Sequence, residues 1–545
     1  MGERWGRFRD GSLVPLLSRP YVLPAGFFVL TFLVYWFVGP QNTIFDNHIN
    51  QANSLLHGHL DLVPEHSGFI TEPALKDGKM YLQHGLGPAL LLLPAVAIWG
   101  LSVNQTLVSV LMGALMAPVV LAIVKKMVPG LSAQIWLTVL FMFGTIFWFT
   151  ASNGGVWFLS HTMAVFFLFI AIYFTIVRRN PLVAGLCLGA AYLSRQTTIM
   201  ALPFFLIMFA GVWIEDALDR PFARRVRPAP LIQSGAGLAV ILLRRVATAP
   251  LVQLGLGLLV GFVLIFLRFE DAPEKPLWRR VQITPWGQLG LGLGVFLMVS
   301  FVLNFLRFSN PLEGGYSYSE QVHQEELAHV FSHGLLDISY IPRHIPVFIE
   351  GLPIFSRDAP YVLPSRDGQA IWATTPAFFL ALFAGIKDRR IIVVGAVALA
   401  LMVAVIVSGE LGRALDLGWG RWDFPLGIHL LPLWAMIAVA ILVAWRSKDK
   451  LILACWAAII ATMIPIFIFA ATGWSQFGYR YALDIHPFLF LLVLKAVAGG
   501  VRWQHKSLIA ASVLINFWGV VWIYQFDEGG LFSPEGFLDL EWFRF

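Results

Sequence analysis

Charged side chains are scarce in this chain. Asp, Glu, Lys and Arg make up 13% of its 545 residues, and hydrophobic residues make up 58%. A soluble protein of this length carries about 25% charged residues, so the composition excludes a soluble globular protein. Apolar runs of about 15–22 residues recur along the whole length, which is typical of membrane-spanning helices and not of a β-barrel. The sequence therefore predicts an all-α polytopic membrane protein.

Cysteine is nearly absent, and the two residues of this type, Cys187 and Cys455, lie in apolar segments. They indicate neither a disulfide framework nor a metal site. The first apolar run, residues 21–38, lacks a small-residue cleavage site, so we expect it to stay as a signal anchor. The net charge of +6 comes from basic residues between the spans. Basic residues in loops between spans are typical of membrane proteins, whose orientation they set, and not of nucleic-acid-binding proteins.

The basic clusters predict the orientation of the spans, because loops rich in Lys and Arg stay on the cytoplasmic side. Four arginines precede the first span, so the N-terminus should be cytoplasmic. Thirteen spans satisfy the pattern if residues 85–100 form a re-entrant or interfacial helix. These spans are 21–38, 105–124, 133–150, 161–177, 181–195, 197–214, 286–306, 371–386, 391–408, 425–445, 451–471, 485–499 and 507–524. The first and fourth outward loops, 39–104 and 307–370, are then the large ones, and 151–160 is a short outward turn.

Residues 228–285 interrupt this pattern, because two apolar runs there repeat the span that follows them. QSGAGLAVILLRR from Gln233 and QLGLGLLVGFVLIFLRF from Gln253 resemble QLGLGLGVFLMVSFVLNFLRF from Gln288, which indicates a tandem duplication. A membrane hairpin is slightly favoured over cytoplasmic interfacial helices. The predicted division is an N-terminal transmembrane module with the first outward loop (1–227), the insertion (228–285), a span with the second large loop (286–370) and a C-terminal transmembrane module (371–545).

Asp46 lies in the first long polar stretch, a few residues after the first span. A charge near headgroup depth is tolerated but rarely accidental. A carboxylate at that depth is where an enzyme acting on a lipid-linked substrate needs its base, although a solvated connector is the alternative. Lys79 and His84 flank the point where the loop returns to the membrane, so they are candidates to contact a phosphate.

Outward arginines form the second candidate group, because the orientation pattern disfavours them. Arg195 ends the 181–195 span, and Arg480 lies between two tyrosines. A guanidinium group can bind phosphate through two hydrogen bonds. The structural alternatives are a helix-end arginine that snorkels for Arg195 and pairing with Asp484, four residues later, for Arg480.

The fourth outward loop contains the segment NPLEGGYSY, which begins three residues after Arg307. Its glycines and tyrosines could shape a substrate cleft, and a turn at a helix end explains them equally well. Tyrosines at a membrane interface are usually anchors, yet they can also face a sugar or a polyprenyl chain. The candidate cleft residues are Tyr316, Glu313, Tyr481 and Arg307.

The order of these motifs resembles that of the GT-C glycosyltransferases, in particular bacterial members similar to protein O-mannosyltransferases and aminoarabinose transferases. The segments that carry the resemblance are FDNHINQANSLLHGHLDL (45–62), YLQHGLGPALLLLP (81–94), GLCLGAAYLSRQTTIMALP (185–203), NFLRFSNPLEGGYSY (304–318) and GWSQFGYRYALDIHPF (473–488). Apart from the 228–285 insertion, the resemblance covers essentially the whole chain in order. It implies a GT-C-like bundle of about thirteen transmembrane helices.

The resemblance also implies a function. A sugar would pass with inversion from a polyprenyl-phosphate donor to an acceptor hydroxyl of a glycan, lipid or protein, on the outer face of a bacterial plasma membrane. Asp46 matches the family's general base, and Arg195, Arg480, Lys79 and His84 are the candidates for the donor phosphate. Many relatives have an acidic pair at the base, whereas Asn47 follows here and leaves Asp46 a lone carboxylate. No cofactor is implied with certainty, and a divalent metal stays open.

Two other classes of function compete with this interpretation. A transporter or flippase of lipid-linked saccharides would have its polar residues near the membrane midplane, on broken helices in paired halves. Here the ionisable residues crowd the outer ends of the spans, and the repeat is local and direct, which favours the enzyme. A membrane scaffold that binds cell-wall polymer predicts that no single carboxylate matters.

Overall fold

The computed structural model describes residue 19 and residues 21–63, 70–210, 267–269, 281–359, 361–416, 429–473 and 475–526. In these ranges the chain is mostly helical, and each sheet has two strands. The α-helices are α1 (Val22–Val38), α2 (Asn47–Leu56), α3 (Gly87–Trp99), α4 (Gln105–Met127), α5 (Leu131–Phe143), α6 (Phe147–Ala151), α7 (Val156–Ile176), α8 (Pro181–Ser194), α9 (Leu202–Phe209), α10 (Pro285–Phe308), α11 (Glu320–His323), α12 (Ile341–Ile345), α13 (Ile371–Thr374), α14 (Arg389–Ala414), α15 (Leu431–Ser447), α16 (Lys450–Phe467), α17 (His486–Ala496) and α18 (Trp503–Val521).

Shorter elements connect these helices. The 3-10 helices are Gly100–Ser102, Gln196–Ala201, Tyr316–Tyr318, Glu325–Leu327, Ile338–Tyr340, Pro376–Phe383 and Arg480–Asp484, and π-helical turns cover Pro346–Glu350 and Trp522–Phe526. The strands are β1 (Pro73–Lys76), β2 (Lys79–Leu82), β3 (Leu267–Phe269), β4 (Val281–Ile283), β5 (Ile354–Phe355) and β6 (Val362–Leu363). Each sheet is an antiparallel pair of consecutive strands.

Six helices in the described ranges are long and apolar enough to cross a membrane. They are α4, α7, α10, α14, α16 and α18 with its continuation to Gln525. A 30 Å hydrocarbon core needs about 20 helical residues, which these helices approach or exceed. The chain is an integral membrane protein, and the prediction of an all-helical polytopic fold is confirmed. The number of thirteen spans and the division into modules stay predictions.

Proline interrupts the helix predicted for residues 371–386. The segment instead forms α13 and then a 3-10 helix from Pro376 to Phe383. Thr375 has φ −135° and ψ 72°, because a residue before proline is excluded from the helical region by contact with the proline ring. The segment is therefore not one continuous helix, and its place among the thirteen spans stays a prediction.

Two other predicted boundaries also differ from the structure. The span predicted for 133–150 is divided into α5 and α6 by Gly144, Thr145 and Ile146. The helix predicted to begin at residue 161 begins at Val156, so the outward turn is shorter than residues 151–160. His161 consequently lies inside α7 and not at its beginning.

Helix α3 occupies the segment predicted to re-enter the membrane or lie at its surface. It has 13 residues, so it is about 20 Å long at 1.5 Å per residue, which is short for a span. The predictions for 228–285 fall almost entirely outside the described residues. Of that insertion, residues 267–269 and 281–285 are described, and the strands β3 and β4 within them pair with each other.

A tight hairpin in the loop between α2 and α3 sets up the site. Strands β1 and β2 pair from Pro73 with Leu82 to Lys76 with Lys79. The two turn residues, Asp77 and Gly78, both have positive φ, 52° and 73°. An Asp-Gly pair with this geometry forms the turn whose twist matches that of a β-hairpin. The hairpin therefore brings residue 72, before β1, beside residues 83 and 84, after β2.

Glycines allow close packing of α8 against α10 and hold the end of α8 in position. A Cβ on Gly185 would lie 2.1 Å from the carbonyl oxygen of Leu289, and one on Gly292 would lie 2.4 Å from that of Leu182. Small residues permit such close backbone approach between membrane helices. Arg195, which follows α8 as its C-terminal cap, is thereby carried on a closely packed pair of helices.

Candidate active site

A cavity of about 470 Å³ lies where the two large loops meet the ends of several helices. This volume falls in the range of small-molecule sites. Its polar wall contains Glu72, Gln83, His84, His161, Arg195, Thr197, Tyr316, Gln321, Arg480 and Tyr481. Its apolar wall contains Ile199, Met200, Val322, Phe331, Leu335, Leu336, Pro465, Ile466 and Phe469. The cavity therefore offers a ligand both polar or charged groups and apolar surface.

Glu72 lies on the polar wall, held by three neutral donors. The amide of Gln83 and the indole of Trp157 each donate to its Oε2 at 3.1 Å, and the amide of Gln321 donates to its Oε1 at 2.9 Å. Its side chain is only 14% exposed. Burial raises the pKa of Glu72, while the Trp157 hydrogen bond and the charge of Arg480 oppose that rise.

The backbone of Glu72 is strained. Its φ is +52°, a left-handed conformation that costs a residue with a side chain roughly 1–2 kcal/mol. Strain of this kind is retained where the surrounding structure over-determines a residue, which is common at functional sites. The hairpin and the three donors together hold Glu72 in this conformation.

Arg195 is half-buried, lines the cavity and pairs with the buried carboxylate of Asp484. Its Nε donates to both carboxylate oxygens of Asp484, at 3.2 and 3.3 Å, and Thr197 Oγ1 donates to Oδ2 of the same carboxylate at 2.5 Å. Its NH1 donates to Nε2 of His161 at 3.0 Å. Because a guanidinium can only donate, that imidazole nitrogen accepts, and His161 is neutral with its proton on Nδ1.

Arg480 lies on the same wall and is 7% exposed. Its guanidinium carbon lies 5.6 Å from the ring centres of both Phe158 and Tyr481, and its charge acts on Glu72. The backbone N–H of Arg480 donates to Oε1 of Gln476 at 2.9 Å. Asp484, which the sequence pairs with Arg480 along a helix, forms its bonds with Arg195 and Thr197.

Three further predicted site residues line this cavity: His84, Tyr316 and Tyr481. The Nε2 of His84 lies 3.7 Å from Oε2 of Glu72, and burial, with the nearby His48 and arginines, lowers the pKa of His84 well below its usual value. Burial raises the pKa of Tyr316 to about 12. His84 is therefore a neutral imidazole and Tyr316 a neutral phenol at pH 7.

Asp46 is not among the residues that line the cavity. It is half-buried at the N-terminus of α2, and burial raises the pKa of Asp46 against a backbone hydrogen bond. The neighbouring Asn47 donates from Nδ2 to the carbonyl oxygen of Thr71 at 3.1 Å. The residue after Asp46 is thus bonded to the residue before Glu72.

Three other predicted site residues also lie outside the cavity wall. Arg307 donates from NH1 to the carbonyl oxygen of Leu82 at 3.3 Å and from NH2 to Asn304, so it clamps the hairpin from behind. Glu313 accepts hydrogen bonds from the N–H of Gly315 and from Ser317 within its own loop. Lys79 is 56% exposed and pairs with Asp61 at 3.6 Å.

Sequence reasoning gave no role to Glu72, Trp157 or Gln321. The Asp-Gly turn was the available signal, because it predicts a hairpin and hence the approach of residue 72 to residues 83 and 84. Trp157 and Gln321 lie 85 and 249 residues from Glu72 along the chain, so no local pattern connects them. In the described part of the chain, no group of three His, Cys, Asp or Glu residues is arranged to hold a metal ion. A metal requirement stays untested.

Comparisons with known proteins add little to this geometry. No family model matches the sequence, and no curated protein matches it. Among solved structures, the chain is similar to the archaeal oligosaccharyltransferase AglB from Archaeoglobus fulgidus, in complex with an inhibitory peptide and a dolichol-phosphate. The identity is 13% and the TM-score 0.38, over 92% of this chain and 56% of that chain. This chain therefore spans about half the length of that protein, and the similarity is too slight to assign a fold or a function.

Proposed function

We propose that this chain is a membrane glycosyltransferase that moves a sugar from a polyprenyl-phosphate donor to an acceptor hydroxyl on the outer face of the membrane. One observation carries the proposal: a single cavity is lined by the half-buried Glu72 carboxylate, the half-buried Arg195, the buried Arg480 and many apolar side chains. A lipid-linked sugar phosphate has the complementary parts, namely an oily chain, an anionic link and a carbon open to attack.

The two arginines suit the phosphate of the donor. When the bond to the sugar breaks, the lipid phosphate gains negative charge, and fixed cationic donors stabilise such charge most strongly where water is excluded. Arg195 is held by Asp484 and Arg480 by the two aromatic rings. Both guanidinium groups are therefore oriented before the donor binds, so little reorganisation is needed during the reaction.

Glu72 suits the general base. An ionised carboxylate has about four lone-pair sites, and three fixed donors occupy three of them, two at Oε2 and one at Oε1. The remaining site at Oε1 can accept the proton of an acceptor hydroxyl as that hydroxyl attacks the sugar. Direct attack opposite the leaving phosphate inverts the anomeric centre. The resemblance to GT-C enzymes implies Asp46 for the same role, so these two carboxylates are alternatives that mutation can separate.

The apolar wall suits the polyprenyl chain. Met200, Leu336 and Pro465 belong to three different segments that line this side of the cavity, and Leu336 is 58% exposed. Burial of apolar chain surface contributes about 25 cal/mol per Å². The wall would therefore hold the lipid end while the arginines hold the phosphate.

The donor class is tested with purified protein in lipid vesicles, supplied with polyprenyl-phosphate sugars in one series and nucleotide sugars in another. We expect release of polyprenyl phosphate, by transfer or by slow hydrolysis, in the first series alone. Use of the nucleotide sugars would refute the lipid-donor mechanism. Movement of an intact lipid-linked saccharide across the vesicle membrane, with no bond broken, would support the transporter instead.

A pH profile tests Glu72 through its neighbour Trp157. A base works only when deprotonated, so the rate falls as the pH drops through the pKa of Glu72. Trp157→Phe removes the hydrogen bond that most lowers that pKa, so the acid limb of kcat/KM should move to higher pH. Trp148→Phe is the matched control, because the indole nitrogen of Trp148 has no partner among the described residues. An unchanged acid limb in Trp157→Phe would contradict the role of Glu72.

A further inference from the structure

We propose that Asp484 is a positioning residue, which holds the guanidinium of Arg195 in one orientation so that its outer edge meets the donor phosphate. This inference rests on the proposed function and adds a residue that touches no substrate. Asp484 would act entirely through Arg195.

The bonds around Asp484 fix its position from two sides. Its carboxylate accepts from Nε of Arg195 at 3.2 and 3.3 Å and from Oγ1 of Thr197 at 2.5 Å. The side chain of Asp484 has no exposure to solvent. Asp484 ends the 3-10 helix that begins at Arg480, and Arg195 lies 289 residues away at the end of α8. The contact between Asp484 and Arg195 therefore sets the position of Arg195 relative to the 3-10 helix that carries Arg480.

The same bonds determine which edge of Arg195 faces a ligand. Of its five N–H groups, the one on Nε is used by Asp484 and one on NH1 by His161. The other N–H groups, one on NH1 and two on NH2, form no hydrogen bond within the described ranges. The Arg195 side chain is 17% exposed and lines the cavity. This outer edge has the parallel donors that bind two phosphate oxygens at once.

Tyr481 limits the remaining freedom of the guanidinium. The guanidinium carbon of Arg195 lies 5.4 Å from the ring centre of Tyr481, and the ring of His161 stacks on the same tyrosine with 6.0 Å between centres and 20° between planes. These contacts restrict rotation of the guanidinium plane but leave its position within that plane free. Asp484 supplies the restraint within the plane.

The experiment compares Asp484→Asn and Thr197→Val with wild type, measuring kcat and KM for the lipid donor together with binding of polyprenyl phosphate alone. We expect Asp484→Asn to lower kcat/KM by about 10- to 100-fold, because a displacement of about 1 Å can cost that much. We expect Thr197→Val, which loses one of three bonds to the carboxylate, to show a smaller loss in the same direction. Asp449→Asn is the matched control, since Asp449 pairs with Lys495 at 2.6 Å away from the cavity, and its kinetics should be those of wild type.

A double-mutant cycle separates positioning from a merely structural role. If Asp484 acts through Arg195, then Asp484→Asn should cause no further loss of kcat/KM in an Arg195→Met background. An equal loss in both backgrounds would overturn the inference, as would wild-type kinetics in both Asp484→Asn and Thr197→Val. If Asp484→Asn does not fold, Thr197→Val in the two backgrounds decides the question.

The measurement of polyprenyl phosphate binding distinguishes failure of this inference from failure of the proposed function. Wild-type protein that binds polyprenyl phosphate but transfers no sugar would contradict the glycosyltransferase, while reduced lipid-phosphate binding in Asp484→Asn would still support the positioning role. Wild-type protein that neither transfers sugar nor binds polyprenyl phosphate would overturn both. If the wild-type protein transfers sugar and both Asp484→Asn and Thr197→Val have wild-type kinetics, the positioning role alone is overturned.

Discussion

Glu72→Gln is expected to lower the rate of sugar transfer by about 10²- to 10⁴-fold, the usual contribution of a positioned general base. Donor binding should stay close to wild type, because the arginines that face the phosphate are untouched. The amide is also accommodated: its oxygen can take the place of Oε2, and the Gln321 side chain can turn its amide oxygen toward the new NH2 group. Any side chain at this position has the same φ of +52°, so the backbone strain is unchanged.

Measurement of kcat in Glu72→Gln beside Asp46→Asn separates the two carboxylates. Asp46→Asn is the matched control if Glu72 is the base, and its rate should then be close to that of wild type. The reverse result, with loss in Asp46→Asn and near-normal transfer in Glu72→Gln, would return the role to the residue that the family resemblance implies. Full activity in both variants would contradict every mechanism in which one carboxylate takes the acceptor proton.

Arg480→Lys is expected to lower kcat by about 10²- to 10³-fold, the cost of removing one fixed donor to a developing negative charge. The charge is kept, so the loss reports the geometry of the guanidinium and not the electrostatic field alone. A lysine ammonium cannot present two parallel donors to a phosphate. It also lacks the flat guanidinium that stacks on the rings of Phe158 and Tyr481. The effect should appear with every polyprenyl-phosphate sugar that the enzyme accepts.

Arg343→Lys provides the matched control for this substitution. Arg343 also lies over a tyrosine, with its guanidinium carbon 4.8 Å from the ring centre of Tyr340, and it donates to the carbonyl oxygens of Val330 and His329. It does not line the cavity. We expect Arg343→Lys to have wild-type donor kinetics, so equal losses in the two variants would mean that Arg480 acts on folding and not on the donor phosphate.

Two site arginines could be selected from the sequence because they depart from the rule that Lys and Arg gather on the cytoplasmic side of a membrane. The predicted topology places Arg195 and Arg480 on the outward side, which the positive-inside rule disfavours, and both line the cavity. His84 lies just before α3, Tyr316 begins a 3-10 helix after α10, and both line the cavity too. Arg307 and Lys79 show the limit of this reasoning, because a charge near the membrane surface can equally clamp a hairpin or pair with a neighbour.

Glu72 could not be selected in this way. Its loop holds many acidic residues and histidines that look alike in sequence, and Asp46 has the more suggestive position after a span. Glu72 becomes distinct only when the hairpin folds and when Trp157 and Gln321, far away in sequence, donate to its carboxylate. Asp484 changes partner for the same reason: four residues from Arg480 along the chain, it meets Arg195 in the fold.

By itself, the sequence determined that this protein is helical and lies in the membrane. Apolar runs of this length, with a charge content of 13%, place the side chains in lipid, where helices satisfy the hydrogen bonds of the backbone internally. Tertiary structure alone decided which carboxylate meets which arginine. Burial and hydrogen bonding depend on contacts between segments up to 289 residues apart, and local patterns in the chain do not encode such contacts.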